Sequence, residues 1–483
     1  MYYEFSVGKE NSLKSAIEIA NAIRSGHITA RKVVEQCLAQ IGQHAEAINA
    51  FVHVDEDGSL AAADDLDSKF AAGEAPGLLA GVPFGVKDLR DTCAGMPTRN
   101  GSLLTKDAPL DELDTPQIAR LRAAGAIPVG KTATAEFGLD GVTHTLLHGT
   151  TRNPWNTERT PSGSSGGSSA AVAAGLVPLA TGGDGLGSIR CPAGFTGTVG
   201  HKPSLGRISR SDGFADTSCP GAITLTVADT ARYLDVVSGP NDRDRMSLPA
   251  TNDCYEELIE NLDVAGLRVA WSVDLGFAPV EAEVASVCQR AAETLVDAAG
   301  LTLVRDAVEF TNPYVAWNAL AAVKLRKRFE YLGYLPTHLD KISPGPRRFI
   351  ERYAYQNANR LFEYEQVVMR TEQEMAALFD DVDVLLTPTT CCVPYAAEGP
   401  LPEVIAGKDA SETNGEPFTA LASIAWNPSI SVPAGLSSDG LPIGLLINVR
   451  RHRDDIALRL ARILELANPW PRHAPGFGEN LRD

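Results

Sequence analysis

Ser162-Gly163-Ser164-Ser165-Gly166-Gly167-Ser168-Ser169-Ala170-Ala171-Val172-Ala173-Ala174 is the stretch that decides how this chain folds. Its first eight residues, taken alone, have the composition of a flexible linker. A linker would lead into more polar sequence before a second domain. Here alanine and valine follow at once, and side chains this small suit a helix packed closely on a sheet. Glycines at the entry to such a helix permit tight backbone approach and present N–H groups at the helix start. A phosphate loop would need a closing Gly-Lys-Ser/Thr, which is absent.

From residue 78 onward, short apolar runs alternate with helical patterns around this stretch. Residues 82–86, 126–130, 177–181, 266–271, 382–386, 430–432 and 443–448 read as strands. Residues 115–124, 168–176, 280–299 and 454–467 read as helices. The alternation implies an α/β fold, a large mixed β-sheet covered by α-helices on both faces. An N-terminal helical segment, 10–72, precedes it. Residues 12–24 space Leu13, Ala16, Ile17, Ile19, Ala20 and Ile23 helically and stop at Gly26. Thr29 caps a second helix carrying Val33, Val34, Cys37, Leu38 and Ile41, and a third spans 61–70. Residues 78–210 hold the catalytic core, 311–380 form a helical cover over a substrate entrance, and 401–417 read as an exposed loop. The whole chain, 1–483, is expected to form one domain.

The chain has 483 residues, 44% hydrophobic and 22% charged, with a formal net charge of −18. That acidity argues against nucleic acid or an anionic membrane surface as partner. No run approaches the roughly 18 apolar residues needed to span a bilayer. Met1-Tyr2-Tyr3-Glu4-Phe5 does not open a secretory signal. The eight cysteines lack C-x-x-C spacing and read as reduced, buried thiols, adjacent Cys391 and Cys392 included. A cytoplasmic location is expected. His144 and His148 have H-x-x-x-H spacing without the glutamate of a zinc-protease helix, so no metal site is expected.

A second glycine-rich stretch, Gly182-Gly183-Asp184-Gly185-Leu186-Gly187-Ser188-Ile189-Arg190, frees the backbone around Ser188. N–H groups converging in such a loop are what an oxyanion hole needs, and Gly185, Leu186 and Gly187 are the candidate donors. An ordinary glycine-rich turn has the same composition. Asp184 and Arg190 flank the serine and can brace the loop as an ion pair. No G-x-S-x-G elbow surrounds Ser188, so a histidine-based triad has little support.

In order along the chain stand Gly81-Val82-Pro83-Phe84-Gly85-Val86-Lys87-Asp88, Gly130-Lys131-Thr132, Thr151-Arg152-Asn153-Pro154-Trp155, Ser162 to Ser168, and Gly187 to Ala193. His201-Lys202-Pro203 with Gly206-Arg207, Asn427 to Pro433, and Gly440-Leu441-Pro442-Ile443-Gly444 continue the set. Over nearly the whole chain this resembles the amidase signature family of serine hydrolases. The resemblance implies that family's fold and a Ser–cis-Ser–Lys triad. Ser188 would be the nucleophile, Ser164 the relay in a cis link to Gly163, and Lys87 the base. A serine hydroxyl needs a base to take its proton. Lysine, with an ordinary pKa of about 10.4, serves only where burial lowers that value. Asp88 follows Lys87 on a strand and is expected to point away from it. Leu186 departs from the family, which usually has Gly or Ala there; a positive φ would strain it, and it would reshape the acyl pocket. Ser165 is expected to make structural hydrogen bonds.

The expected activity is hydrolysis of a carbon–nitrogen bond in a non-peptide amide, with aryl amides, cyclic amides, esters and carbamates in range. The pocket is expected to use Gly138, Leu139, Trp426 and the helices of 311–350. No cofactor is expected, the partner is the small-molecule substrate, and a homodimer is compatible with the sequence. Two alternatives share the fold. One is an amidotransferase component that releases ammonia from glutamine for a tRNA-linked partner, and the other is a non-catalytic binding protein.

Overall fold

The computed structural model describes residues 15–74, 77–210 and 217–477. The start of the expected helix at 12–24 lies outside these residues. Within them, eleven strands form one sheet. In chain order they are β1 (Phe51–Val54), β2 (Pro83–Lys87), β3 (Ile127–Thr132), β4 (Leu179–Asp184), β5 (Val199–Lys202) and β6 (Cys219–Thr224). The second half supplies β7 (Arg268–Trp271), β8 (Thr302–Arg305), β9 (Val384–Pro388), β10 (Ser429–Leu436) and β11 (Pro442–Val449). Their spatial order is β1-β3-β2-β4-β6-β5-β10-β11-β9-β7-β8. β2 runs parallel to both β3 and β4, whereas β4–β6, β5–β6 and β10–β11 are antiparallel. The sheet is mixed.

Both faces are covered, and the strand pleat shows it. Successive side chains leave a strand on opposite faces. Leu445 and Ile447 join one buried apolar cluster while Leu446, between them, joins another. Val384 and Leu386 separate from Leu385 in the same way, as does Val269 from Ala270.

The N-terminal helices begin where their caps dictate. Ser15 accepts from the Glu18 N–H and its own N–H donates to the Glu18 carboxylate, a reciprocal cap for Ala16–Arg24. Thr29 accepts from the Lys32 N–H at the start of Ala30–Ile48. The deciding stretch becomes the helix Gly166–Ala173, buried on every side. A side chain at Gly167 would collide with the backbone of Ala133 and Ala50, so this helix lies against the sheet only because its residues are small.

Lys87 ends β2 and Asp184 ends β4, so the carboxyl ends of two adjacent parallel strands deliver both residues to one place. Ligand sites of open α/β sheets form in such positions. Helices Tyr314–Tyr331, Pro344–Tyr353 and Ala358–Asp381 roof this end. The expected loop at 401–417 differs in two ways. It carries a small hairpin, Val404–Ile405 with Lys408–Asp409, and its end turns inward so that Glu416 lines the cavity.

Candidate active site

A cavity of about 1140 Å³ lies under the helical roof. Ser164, Ser188, Gly185, Leu186 and Gly187 line it, as do Gly138, Leu139 and Trp426. The two glycine-rich stretches abut: the Ser165 N–H donates to the Ser188 carbonyl at 3.2 Å. The peptide bond between Gly163 and Ser164 is cis. Ser188 is half-buried, whereas Ser164, which also lines the cavity, is buried.

Lys87 is fully buried. Its Nζ donates to Ser164 Oγ at 2.8 Å and to the Gly183 carbonyl at 3.3 Å. Burial lowers its pKa to about 7, helped by Arg90 and opposed by Asp91 and Asp184. Asp88 plays no part in this. Its carboxylate accepts from the Arg99 N–H at 2.6 Å and the Gly101 N–H at 3.1 Å.

Asp184 organises the loop that carries Ser188. It accepts from the N–H groups of Gly187 at 2.7 Å and Ile189 at 3.2 Å, and pairs with the Arg190 guanidinium through two bonds of 2.9 and 2.8 Å. Both partners are fully buried. Burial alone would raise the Asp184 pKa, but the Arg190 charge overrides it and holds the carboxylate below its ordinary value. Arg190 is anchored in turn by Ser423 Oγ at 2.8 Å.

Two expectations change here. The Gly187 N–H is committed to Asp184, so it is not free for an oxyanion. Among the described residues the N–H groups of Gly185, Leu186 and Ser188 have no such partner. Leu186 does not adopt a positive φ, so the strain that a positive φ would bring does not arise; Gly187 has the positive φ of this loop, +140°. The Leu186 carbonyl accepts from Thr419 Oγ1 at 2.5 Å, which ties the loop to the helix Phe418–Ile424. Ser165 bonds through its backbone, while its buried hydroxyl has no partner among the described residues.

The cavity lining mixes aromatic and apolar side chains, among them Phe137, Leu139, Tyr314, Trp317, Phe349 and Trp426, with polar ones such as Asp91, Gln117, Ser209 and Arg245. Glu416 stands close to the serine loop and accepts from Ser162 Oγ at 3.0 Å. Burial pushes its carboxyl up to about 8, the Ser162 hydroxyl opposing and the nearby Asp140 adding to the rise. None of the nine histidines lines the cavity. Among the described residues no cluster of three His, Cys, Asp or Glu side chains could hold a metal ion, and no helix is long and apolar enough to cross a membrane.

Fold and comparison together place the chain among hydrolases of carbon–nitrogen bonds other than peptide bonds. It belongs to the amidase family, whose sequence profile matches residues 32–458. An acylamidase of Rhodococcus erythropolis is 34% identical over 472 residues, 95% of this chain and 97% of that protein. A component of the glutamyl-tRNA(Gln) amidotransferase of Acidothermus cellulolyticus is 33% identical, over 94% of each chain. Among solved structures, a bacterial aryl acylamidase of the amidase signature family superposes with a TM-score of 0.89 at 30% identity, covering 95% of this chain and 97% of the other.

Proposed function

We propose that this chain is an amidase for small carboxylic amides bearing a bulky apolar or aryl group, acting through Ser188, Ser164 and Lys87. The observation that carries it is the contact between a buried, weakly basic Lys87 amine and Ser164 Oγ, at 2.8 Å, with Ser164 and Ser188 lining the same cavity. Lys87 in its neutral form draws the proton of Ser164, and Ser164 draws that of Ser188 as the Ser188 Oγ attacks the amide carbonyl. The carbonyl oxygen, now negative, meets N–H groups of the serine loop, for which Gly185 and Leu186 are available. Collapse breaks the carbon–nitrogen bond. The proton on Lys87 returns through Ser164 to the leaving nitrogen, which departs badly as an anion. Water then enters by the same relay, attacks the acyl-Ser188 ester and frees the carboxylic acid.

The aromatic side chains among the cavity lining support an apolar acyl or aryl group, and esters and carbamates of similar shape are within the same chemistry. The relatives named acylamidase and aryl acylamidase agree with this choice. A panel of anilides, linear and cyclic amides, carbamates and glutamine, assayed with wild type and Ser188→Ala, tests it. Turnover of anilides that vanishes in the variant supports the proposal. A second reading, a component that frees ammonia from glutamine for a tRNA-linked partner, draws on the amidotransferase relative. Preferential glutamine hydrolysis in the same panel would favour it.

A further inference from the structure

Asp91 and Asp184 both lie close enough to Lys87 for their charges to favour its protonated form, and they are not equivalent. Asp184 is bound on two sides by the Arg190 guanidinium, so its charge is largely neutralised where it stands. Asp91, four positions after Lys87, is held differently. Its carboxylate accepts from Thr181 Oγ1 at 2.9 Å and from Gln117 Nε2 at 2.7 Å, both uncharged donors. Gln117 Oε1 accepts in turn from the Tyr233 hydroxyl at 2.7 Å. Thr181 Oγ1 also accepts the Lys87 N–H at 3.0 Å, so one hydroxyl links the lysine backbone to the acid. Lys131 Nζ meets the main-chain carbonyl of Asp91 at 2.5 Å, and lies 3.4 Å from Asp111. Five elements therefore surround Asp91 and its partners: β2 ending in Lys87, β3 with Lys131, β4 with Thr181, and two helices with Gln117 and Tyr233. Arg90 is its neighbour in the chain.

We propose that Asp91 is a positioning residue that sets the proton affinity of Lys87 during turnover. This rests on the reading of Lys87 as the base. When Lys87 takes the relayed proton, an ammonium forms in a site without bulk water. Burial raises the Asp91 carboxyl to about 6, so at pH 7 and above it is charged, and that charge stabilises the ammonium and makes the neutral amine a better base. Without Asp91, burial would leave Lys87 mostly neutral yet too weak to draw the proton from Ser164. Uncharged donors hold the Asp91 carboxylate without cancelling it as Arg190 cancels Asp184, and of Asp91 the Lys131 ammonium bonds only the main-chain carbonyl.

The test compares kcat/KM for a nitroanilide across pH 5 to 10 in wild type, Asp91→Asn, Tyr233→Phe and Lys87→Ala. Loss of the Asp91 charge lowers the Lys87 pKa, so the acidic limb should move to lower pH by about one unit, with a lower plateau kcat. Tyr233→Phe, at the far end of the hydrogen-bond chain, should reduce stability without moving the limb. Asp91→Ser carries the same expectation should the asparagine variant fail to fold. An unmoved limb in a folded Asp91 variant, with Lys87→Ala inactive, would overturn this proposal alone. Wild-type turnover by Lys87→Ala would remove the base assignment and the proposal together.

Discussion

Lys87 Nζ donates to Ser164 Oγ at 2.8 Å from a fully buried position. A lysine so placed titrates near 7, because burial disfavours its charged form. Activity that needs the neutral amine rises with pH through that value. The kcat/KM profile for a neutral amide should therefore have an acidic limb near pH 7 and a plateau above it. A flat profile between pH 6 and 9 would argue against Lys87 as the base.

The same burial costs stability. Between pH 7 and 10.5 the unfolded chain binds a proton on Lys87 that the folded chain does not, so folded stability gains as pH rises through that window. Lys87→Met removes this dependence. The variant should be more resistant to urea than wild type at pH 7, with the advantage shrinking towards pH 10, while amide turnover is lost.

Asp184 and Arg190 form an ion pair with no solvent exposure. Removing one partner leaves a buried charge alone, which typically costs about 3–5 kcal/mol. Arg190→Met should lower the denaturant midpoint accordingly. Replacing both, as Asp184→Leu with Arg190→Met, should recover part of the stability but not activity. The Gly187 and Ile189 N–H groups would still lack the acceptor that shapes the loop.

Gly187 has φ +140° and sits where a side chain would strike Thr419 Oγ1 and Cys191 Sγ. Gly187→Ala combines backbone strain of about 1–3 kcal/mol with that collision. Activity should fall much further than stability, measured as kcat against thermal midpoint, because the distortion lies next to Ser188. Leu186→Ala, at a residue with ordinary φ, should leave kcat for a small amide close to wild type.

These outcomes also mark what could be read from sequence. Central strands such as β2, β9 and β11 announce themselves as apolar runs buried on both faces. β8 does not: Thr302 to Arg305 are exposed throughout and edge the sheet. β6 opens Cys219-Pro220-Gly221, which reads as a turn, and becomes a strand only between its partners β4 and β5. The residues proposed as the relay stand out in the sequence: Ser164 and Ser188 sit among small residues, and Lys87 closes an apolar run. Asp91 and Glu416 do not. Asp91 acquires its surroundings from β3, β4 and two helices distant in sequence. Glu416 belongs to a loop of exposed composition and turns inward because Thr419, three residues on, binds the Leu186 carbonyl.

The central claim is that Ser188 is the residue acylated. Intact-protein mass spectrometry after treatment with a fluorophosphonate tests it most directly, followed by peptide mapping. One adduct on Ser188 in wild type, none in Ser188→Ala, and slow labelling in Lys87→Ala is the expected result. Equal labelling of wild type and Ser188→Ala, or an adduct mapped to another serine, would contradict it.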